Sequence, residues 1–272
     1  MNLRKTVRSM MVSVQEKLKS FAFEKAYPYI IEQPVIKDYL TGISFILVGS
    51  AATGLCTEES DVDICLICSR EIYDIISVGT RWNDGRPTEV ILEGTQLHYY
   101  AVSVDELDKK IDALDERACY VYGNAVVIND RADRYGHIAE KLHSPELMSR
   151  RFDMEFDMLK RRQGAVRYVL YKDTDPMARL QLGTEIIERL LKCIALYDGR
   201  GYDPRKRFYQ TALIGSTGSR LKSYVDTMMS LTGAICQSAD QKETDAFMEA
   251  LDYCVDYLGN GGSAGRESSD VP

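Results

Sequence analysis

Apolar residues near the start of the chain recur at helical spacing: Met10, Met11, Val14, Leu18 and Phe21. That period predicts helix over residues 5–40, divided near Pro28 or Pro34, because proline removes a backbone donor and clashes with the preceding turn. The pattern then shortens. Phe45-Ile46-Leu47-Val48 is an apolar run stopped by Gly49, and residues 62–67 form another that contains Asp63. Short apolar runs bounded by turn formers read as buried strands. Helical spacing returns over 71–82, and Asn83-Asp84-Gly85-Arg86-Pro87 is a turn cluster. Two β-rich runs, 88–92 and 96–103, flank Glu93-Gly94-Thr95 and predict a hairpin. A helix over 105–122 and a short strand over 125–128, stopped at Asn129-Asp130, complete this half.

From Arg131 onwards the strand signals stop. Helical spacing fills about 131–142, 145–172, 176–198, 204–215, 217–232 and 240–258. The expected class is therefore α/β (α+β), a mixed sheet with helices followed by an all-helical part. The expected divisions are N-terminal helices over 1–40, an α/β domain over 41–140, a helical bundle over 141–258 and a disordered tail over 259–272, rich in Gly and Ser.

Composition narrows the picture modestly. With 272 residues, 45% hydrophobic and 28% charged, the chain has globular content and length enough for a substantial core. A net charge of −7 argues against a surface that grips nucleic acid throughout. The seven cysteines are odd in number, and Cys65-Leu66-Ile67-Cys68 sits inside an apolar run, so its cysteines read as small buried hydrophobes rather than a redox or zinc pair. No apolar run is long enough to cross a membrane and no secretory leader is visible, so a cytoplasmic protein with reduced thiols and no membrane partner is expected.

The chemistry concentrates between residues 45 and 66. One strand ends in Gly49-Ser50, and about ten residues later Asp61-Val62-Asp63 opens the next. Strand residues alternate in direction, so Asp61 and Asp63 share a face. Two carboxylates so placed repel each other, and a divalent cation relieves that. Oxygen ligands suit Mg²⁺, which is commonly shared between carboxylates and substrate phosphates. Gly49 lets the backbone approach a phosphate and Ser50 adds a hydroxyl.

Gly49-Ser50, Gly54-Leu55 and Ser60-Asp61-Val62-Asp63 resemble the nucleotidyltransferase motif of the DNA polymerase beta superfamily. Small bacterial antibiotic nucleotidyltransferases and cytoplasmic poly(A)/poly(U) polymerases share the pattern. The resemblance implies a five-stranded mixed core and transfer of a nucleoside monophosphate from an NTP. It also implies Mg²⁺ or Mn²⁺ held by Asp61, Asp63 and a third carboxylate, and a triphosphate cradled by Gly49, Ser50 and Ser60.

The third carboxylate is where this chain departs from that pattern. The matching strand, Leu97 to Val102, carries His98 at the equivalent position. Glu89 or Glu93, on one face of the preceding strand, completes the site in one reading. In a second, His98 lines it. In a third the site rests on two carboxylates or has degenerated. The resemblance further implies that the helical half lends cations to the triphosphate, with Lys192 and Lys206 as candidates beside Arg205 and Arg207. Glu185 and Glu188 are candidate general bases toward an acceptor. The expected function is nucleotidyl transfer to a small-molecule hydroxyl of the aminoglycoside or lincosamide type. An RNA 3′-end nucleotidyltransferase and a catalytically degenerate nucleotide-binding or regulatory protein are the alternatives.

Overall fold

A computed structural model describes residues 14–173, 175–202, 208–237 and 240–261. Met10, Met11, Arg205, Lys206, Arg207 and residues 262–272 of the expected tail lie outside them. The chain divides into two compact units between Ser144 and Pro145.

The first unit is built on five strands: β1 (Ile43–Val48), β2 (Val62–Cys68), β3 (Thr88–Leu92), β4 (Thr95–Ser103) and β5 (Val126–Asn129). Their order is β3-β4-β2-β1-β5. β2 and β4 run parallel, and every other pair is antiparallel. The central strands are covered on both faces, which is why β1 and β2 read as continuous apolar runs rather than alternating ones. Asp63 is the one residue of β2 that is not buried.

Phe45, Leu47, Ile64, Leu66, Leu97 and Tyr99 face one way and pack with Leu18, Ala22, Ala26 and Ile30 of the N-terminal helix. That helix runs past Pro28 and stops before Pro34, so of the two prolines at which the expected division could fall, Pro34 is the one that makes it. The bonding shifts to a π-helical stretch at Ala22–Ala26 just before the proline, and the helix continues through Tyr27–Ile31.

The short helices are α1 (Gly49–Thr53), α2 (Arg70–Ile76), α3 (Val104–Asp112), α4 (Glu116–Gly123) and α5 (Gly136–Leu142). Three departures from the hydrophobic pattern have local causes. The expected helix over 105–122 is two helices, because Leu114 takes a left-handed φ of 56° and Asp115 caps a fresh start through Ala118 N. α2 ends at Ile76 and yields to a turn with Gly79 at φ 76°. α5 begins at Gly136 rather than Arg131, because Asp130 holds the intervening loop. Its Oδ1 accepts from Arg134 N (3.0 Å) and Tyr135 N (3.2 Å), its Oδ2 accepts from Gly136 N (2.8 Å), and Ser44 Oγ donates to it from β1.

The second unit is helical: α6 (Pro145–Lys172), α7 (Pro176–Tyr197), α8 (Phe208–Ala212), α9 (Ser216–Gln237) and α10 (Gln241–Gly261). α6 packs on α7 and α10, and α9 packs on the same two, so four long helices close around one apolar core. α10 continues to Gly261, so residues 259–261 of the expected tail are helical. No helix among the described residues is long and apolar enough to cross a membrane.

Cys65 and Cys68 are both buried and free. Three residues apart on a strand, they point to opposite faces and cannot act as a pair. Burial pushes both thiols up to about 12. At about pH 8 the thiolate fraction is then on the order of one in ten thousand. Iodoacetamide should therefore leave both unmodified in the native protein and label them in urea, as read by peptide mass spectrometry. Asp130→Ala removes the acceptor for three backbone N–H groups. It should cost roughly 1–3 kcal/mol in urea unfolding.

Candidate active site

The site stands where β1 ends and β2 begins. Asp63 is paired in register with Val48, the last residue of β1, and on its other side with His98 of β4. His98 is paired in turn with Glu89 of β3. Residues opposite each other in a sheet share a face, so Asp63, His98 and Glu89 form a row across three strands. Asp61, two residues before Asp63, lies on the same side.

The row converges at one point. His98 Nδ1 is 2.9 Å from Asp61 Oδ2 and 3.5 Å from Asp63 Oδ1. One ligand atom from each of the three residues falls within 4.8 Å of the others. The side chains are 37%, 27% and 16% exposed for Asp61, Asp63 and His98, so the point is open to solvent while its walls are fixed. His98 Nε2 is buried and has no partner among the described residues. The ring therefore turns Nδ1 rather than Nε2 to the carboxylates, and Nδ1–H donates toward them.

Glu89 keeps its place in the row but stands one strand further out, exposed, and is not among the three converging donors. Glu93 is not in the strand at all. It occupies the hairpin turn at φ 49° and pairs with Lys25 at 2.8 Å. The expectation that Glu89 and Glu93 share a strand face fails because β3 ends at Leu92.

Gly49 opens α1 with φ 73°, in the left-handed region, and a Cβ there would collide with Asp63 Oδ2. Any other residue would displace the carboxylate. Ser50 follows it, and its carbonyl accepts from Leu55 N at 3.1 Å as the chain turns out of α1. The side-chain amide of Gln15 donates to Ala51 O and Ala52 O, each at 3.2 Å, and so ties α1 to the N-terminal helix. Ser60 closes the loop before Asp61: its Oγ accepts from Thr57 N at 2.9 Å and its N–H bonds Thr57 O at 3.0 Å. In this structure Ser60 shapes the entry of the chain into β2.

Beneath the carboxylates, on the same face, lies a layer that the sequence did not reveal. Cys65 Sγ is 4.0 Å from Tyr122 Oη, and Tyr100 shares hydrogen bonds with both. Tyr135 Oη donates to Tyr122 O at 2.6 Å. Burial, then the neighbouring Cys65 thiol, drives the Tyr100 and Tyr122 phenols well above their ordinary range, so both stay protonated donors. The excess of tyrosine, 17 in all, was the only sequence signal of it.

The remaining candidates lie in the second unit. Lys192 is 14% exposed, ion-paired with Glu188 at 3.3 Å and 5.9 Å from the centre of the Tyr202 ring, so it does not simply extend into solvent. Glu185 pairs with Arg162 at 2.9 Å and with Arg189 at 3.2 Å. Lys206 lies outside the described residues.

Residues 31–119 match the family model described as a nucleotidyltransferase domain, a span that contains β1 to β4 and all three converging side chains. No curated protein matches the chain. Among solved structures, a nucleotidyltransferase-like protein from Exiguobacterium sibiricum 255-15 is similar at 14% identity and a TM-score of 0.45, covering 93% of this chain and 81% of that one.

Gly49→Ala should keep the fold, at a cost of roughly 1–2 kcal/mol for a left-handed non-glycine residue. It should also abolish stabilisation by divalent cations, because the new methyl displaces Asp63. Thermal unfolding with and without Mn²⁺ reads both effects.

Proposed function

We propose that this chain, whose residues 31–119 are a polymerase-beta-like nucleotidyltransferase domain, moves a nucleoside monophosphate from an NTP to a hydroxyl of a small-molecule acceptor, with Mg²⁺ or Mn²⁺ as cofactor. The observation that carries this reading is the convergence of Asp61, Asp63 and His98 beside the Cβ-free approach at Gly49. The donor set fits a divalent cation. Two carboxylates within 4.8 Å of each other are electrostatically costly alone, and cation-ligating atoms are needed in just such proximity.

In the reaction, the acceptor oxygen bonds to the α-phosphorus as the bond from that phosphorus to the leaving pyrophosphate breaks. A bound cation supplies charge neutralisation for the phosphates. The chain supplies position. Asp61 and Asp63 fix the cation at the head of β2, and Gly49 and Ser50 bring the backbone of α1 against the triphosphate. The proton of the acceptor hydroxyl leaves to a carboxylate or to solvent.

A small acceptor is favoured by the way this chain uses its bases. Lys160 pairs with Asp157 at 3.0 Å, Arg162 with Glu185 at 2.9 Å and Arg167 with Asp252, also bonded at 2.8 Å to Oδ1. Guanidinium and ammonium groups neutralised in this way make a poor phosphate-tracking groove. The net charge of −7 suits neutral or cationic acceptors.

Asp63→Asn should leave the far-ultraviolet circular dichroism unchanged and reduce pyrophosphate release from NTPs, over a panel of hydroxylated acceptors, to background. The wild type should be stabilised by NTP with cation by about 2.7 kcal/mol at a hundredfold excess over the dissociation constant. Retention of that stabilisation in Asp63→Asn removes the basis of the assignment.

A further inference from the structure

Of the three donors that meet at the head of β2, two are carboxylate oxygens and one is an imidazole nitrogen. Resting on the nucleotidyl-transfer reading, we propose that His98 is itself a metal ligand and makes this site prefer Mn²⁺ to Mg²⁺, which Asp61 and Asp63 hold without it.

Three features support a liganding ring rather than a bystander. The first is distance. Two donors each about 2.1 Å from one cation, at right angles, lie about 3.0 Å apart. The separations from Nδ1 are 2.9 Å to Asp61 and 3.5 Å to Asp63. The second is rigidity. His98 is mid-strand in β4, paired with β2 on one side and β3 on the other, so the sheet rather than a loop aims its ring. The third is orientation. Of the two ring nitrogens, Nδ1 is the one turned to the carboxylates, and among the described residues its polar contacts are those two side chains.

The preference follows from what each cation gains. Without a cation, Nδ1–H donates to the carboxylates. Coordination through Nδ1 replaces that hydrogen bond and moves the ring hydrogen to Nε2, where it finds no acceptor among the described residues. This cost is the same for every cation, while the return differs. Mg²⁺ is a hard ion that gains little from nitrogen and holds its water tightly. It does best on the two carboxylates, with the His98 hydrogen bond left in place. Mn²⁺ accepts oxygen readily, as two carboxylates and a triphosphate require, and still bonds imidazole. Two carboxylates and a neutral ring also carry one charge fewer than three carboxylates. The purely electrostatic hold on any divalent ion is weaker, and donor type decides more of the affinity.

The test uses the full-length protein with Mn²⁺ and Mg²⁺ as probes and does not depend on turnover. Mn²⁺ bound to the wild type should show nitrogen hyperfine coupling by pulsed electron paramagnetic resonance. That coupling should vanish in His98→Gln and His98→Asp. Competition titration should show the wild-type preference for Mn²⁺ over Mg²⁺ falling roughly tenfold in His98→Asp, which restores a third carboxylate. Bound Mn²⁺ without nitrogen coupling in the wild type, or the same Mn²⁺/Mg²⁺ ratio in the wild type and His98→Asp, overturns the proposal and leaves the cation site standing. The spectroscopic arm needs no variant, so a misfolded substitution cannot rescue the idea. If neither ion binds the wild type, or both bind undiminished to Asp61→Asn, the nucleotidyl-transfer reading falls as well.

Discussion

Two negative charges at the head of a buried strand are the constraint on which the first unit depends. β2 is covered at every position except Asp63. The donor atoms of Asp61 and Asp63 lie within 4.8 Å of each other. Like charges at that separation near a protein surface repel by roughly 3–4 kcal/mol. The central strand holds Asp63, and Asp61 stands one residue before that strand begins, so the surroundings must accommodate the repulsion. His98 does so by hydrogen bonding from the adjacent strand. Gly49 does so by omission, since any side chain there would force Asp63 aside. Folding of the apolar sheet thus assembles the charged group.

The layers under the site make it stiff. Tyr100, Tyr122 and Cys65 form a hydrogen-bonded floor, and Tyr135 anchors it to the backbone of α4. Polar groups in such a layer are costly unless satisfied, and satisfied they fix one arrangement. On the opposite face the N-terminal helix fills the core and reaches over the sheet end, where Gln15 holds two carbonyls of α1.

Much of this was legible in the sequence, and the limits have physical reasons. The central strands announced themselves because strands covered on both faces are apolar throughout, and α6 spans the 145–172 that its period indicated. Parity along the strands put Asp61 and Asp63 on one face, and the likeness of Leu97–Val102 to a partner strand put His98 beside them. What could not be read were decisions made by single residues at a distance. Asp130 delays α5 by binding Ser44, 86 positions away. A left-handed Leu114 splits one expected helix into two, and a π stretch lets another continue past Pro28. Glu93 sits in the hairpin turn that Glu93-Gly94-Thr95 announced, which takes it off the strand face it was expected to share with Glu89. The tyrosine floor joins positions from β4, α4 and the loop before α5, and no local period encodes such a meeting.

The Gln15 clamp bears on where the compact first unit begins. The segment that matches the nucleotidyltransferase family starts at residue 31. Yet Leu18, Ala22, Ala26 and Ile30 fill one face of its sheet, and Gln15 secures the helix that carries Gly49 and Ser50. Beyond the other end of the match, Ile138 and Leu142 are buried in the same unit. The span that matches the family is therefore smaller than the compact unit that contains it. A fragment cut at the borders of the match would carry Asp61, Asp63 and His98 and lose buried residues that pack against their sheet. In this chain the matched span and the packed unit are different objects, and the packed one is longer at both ends.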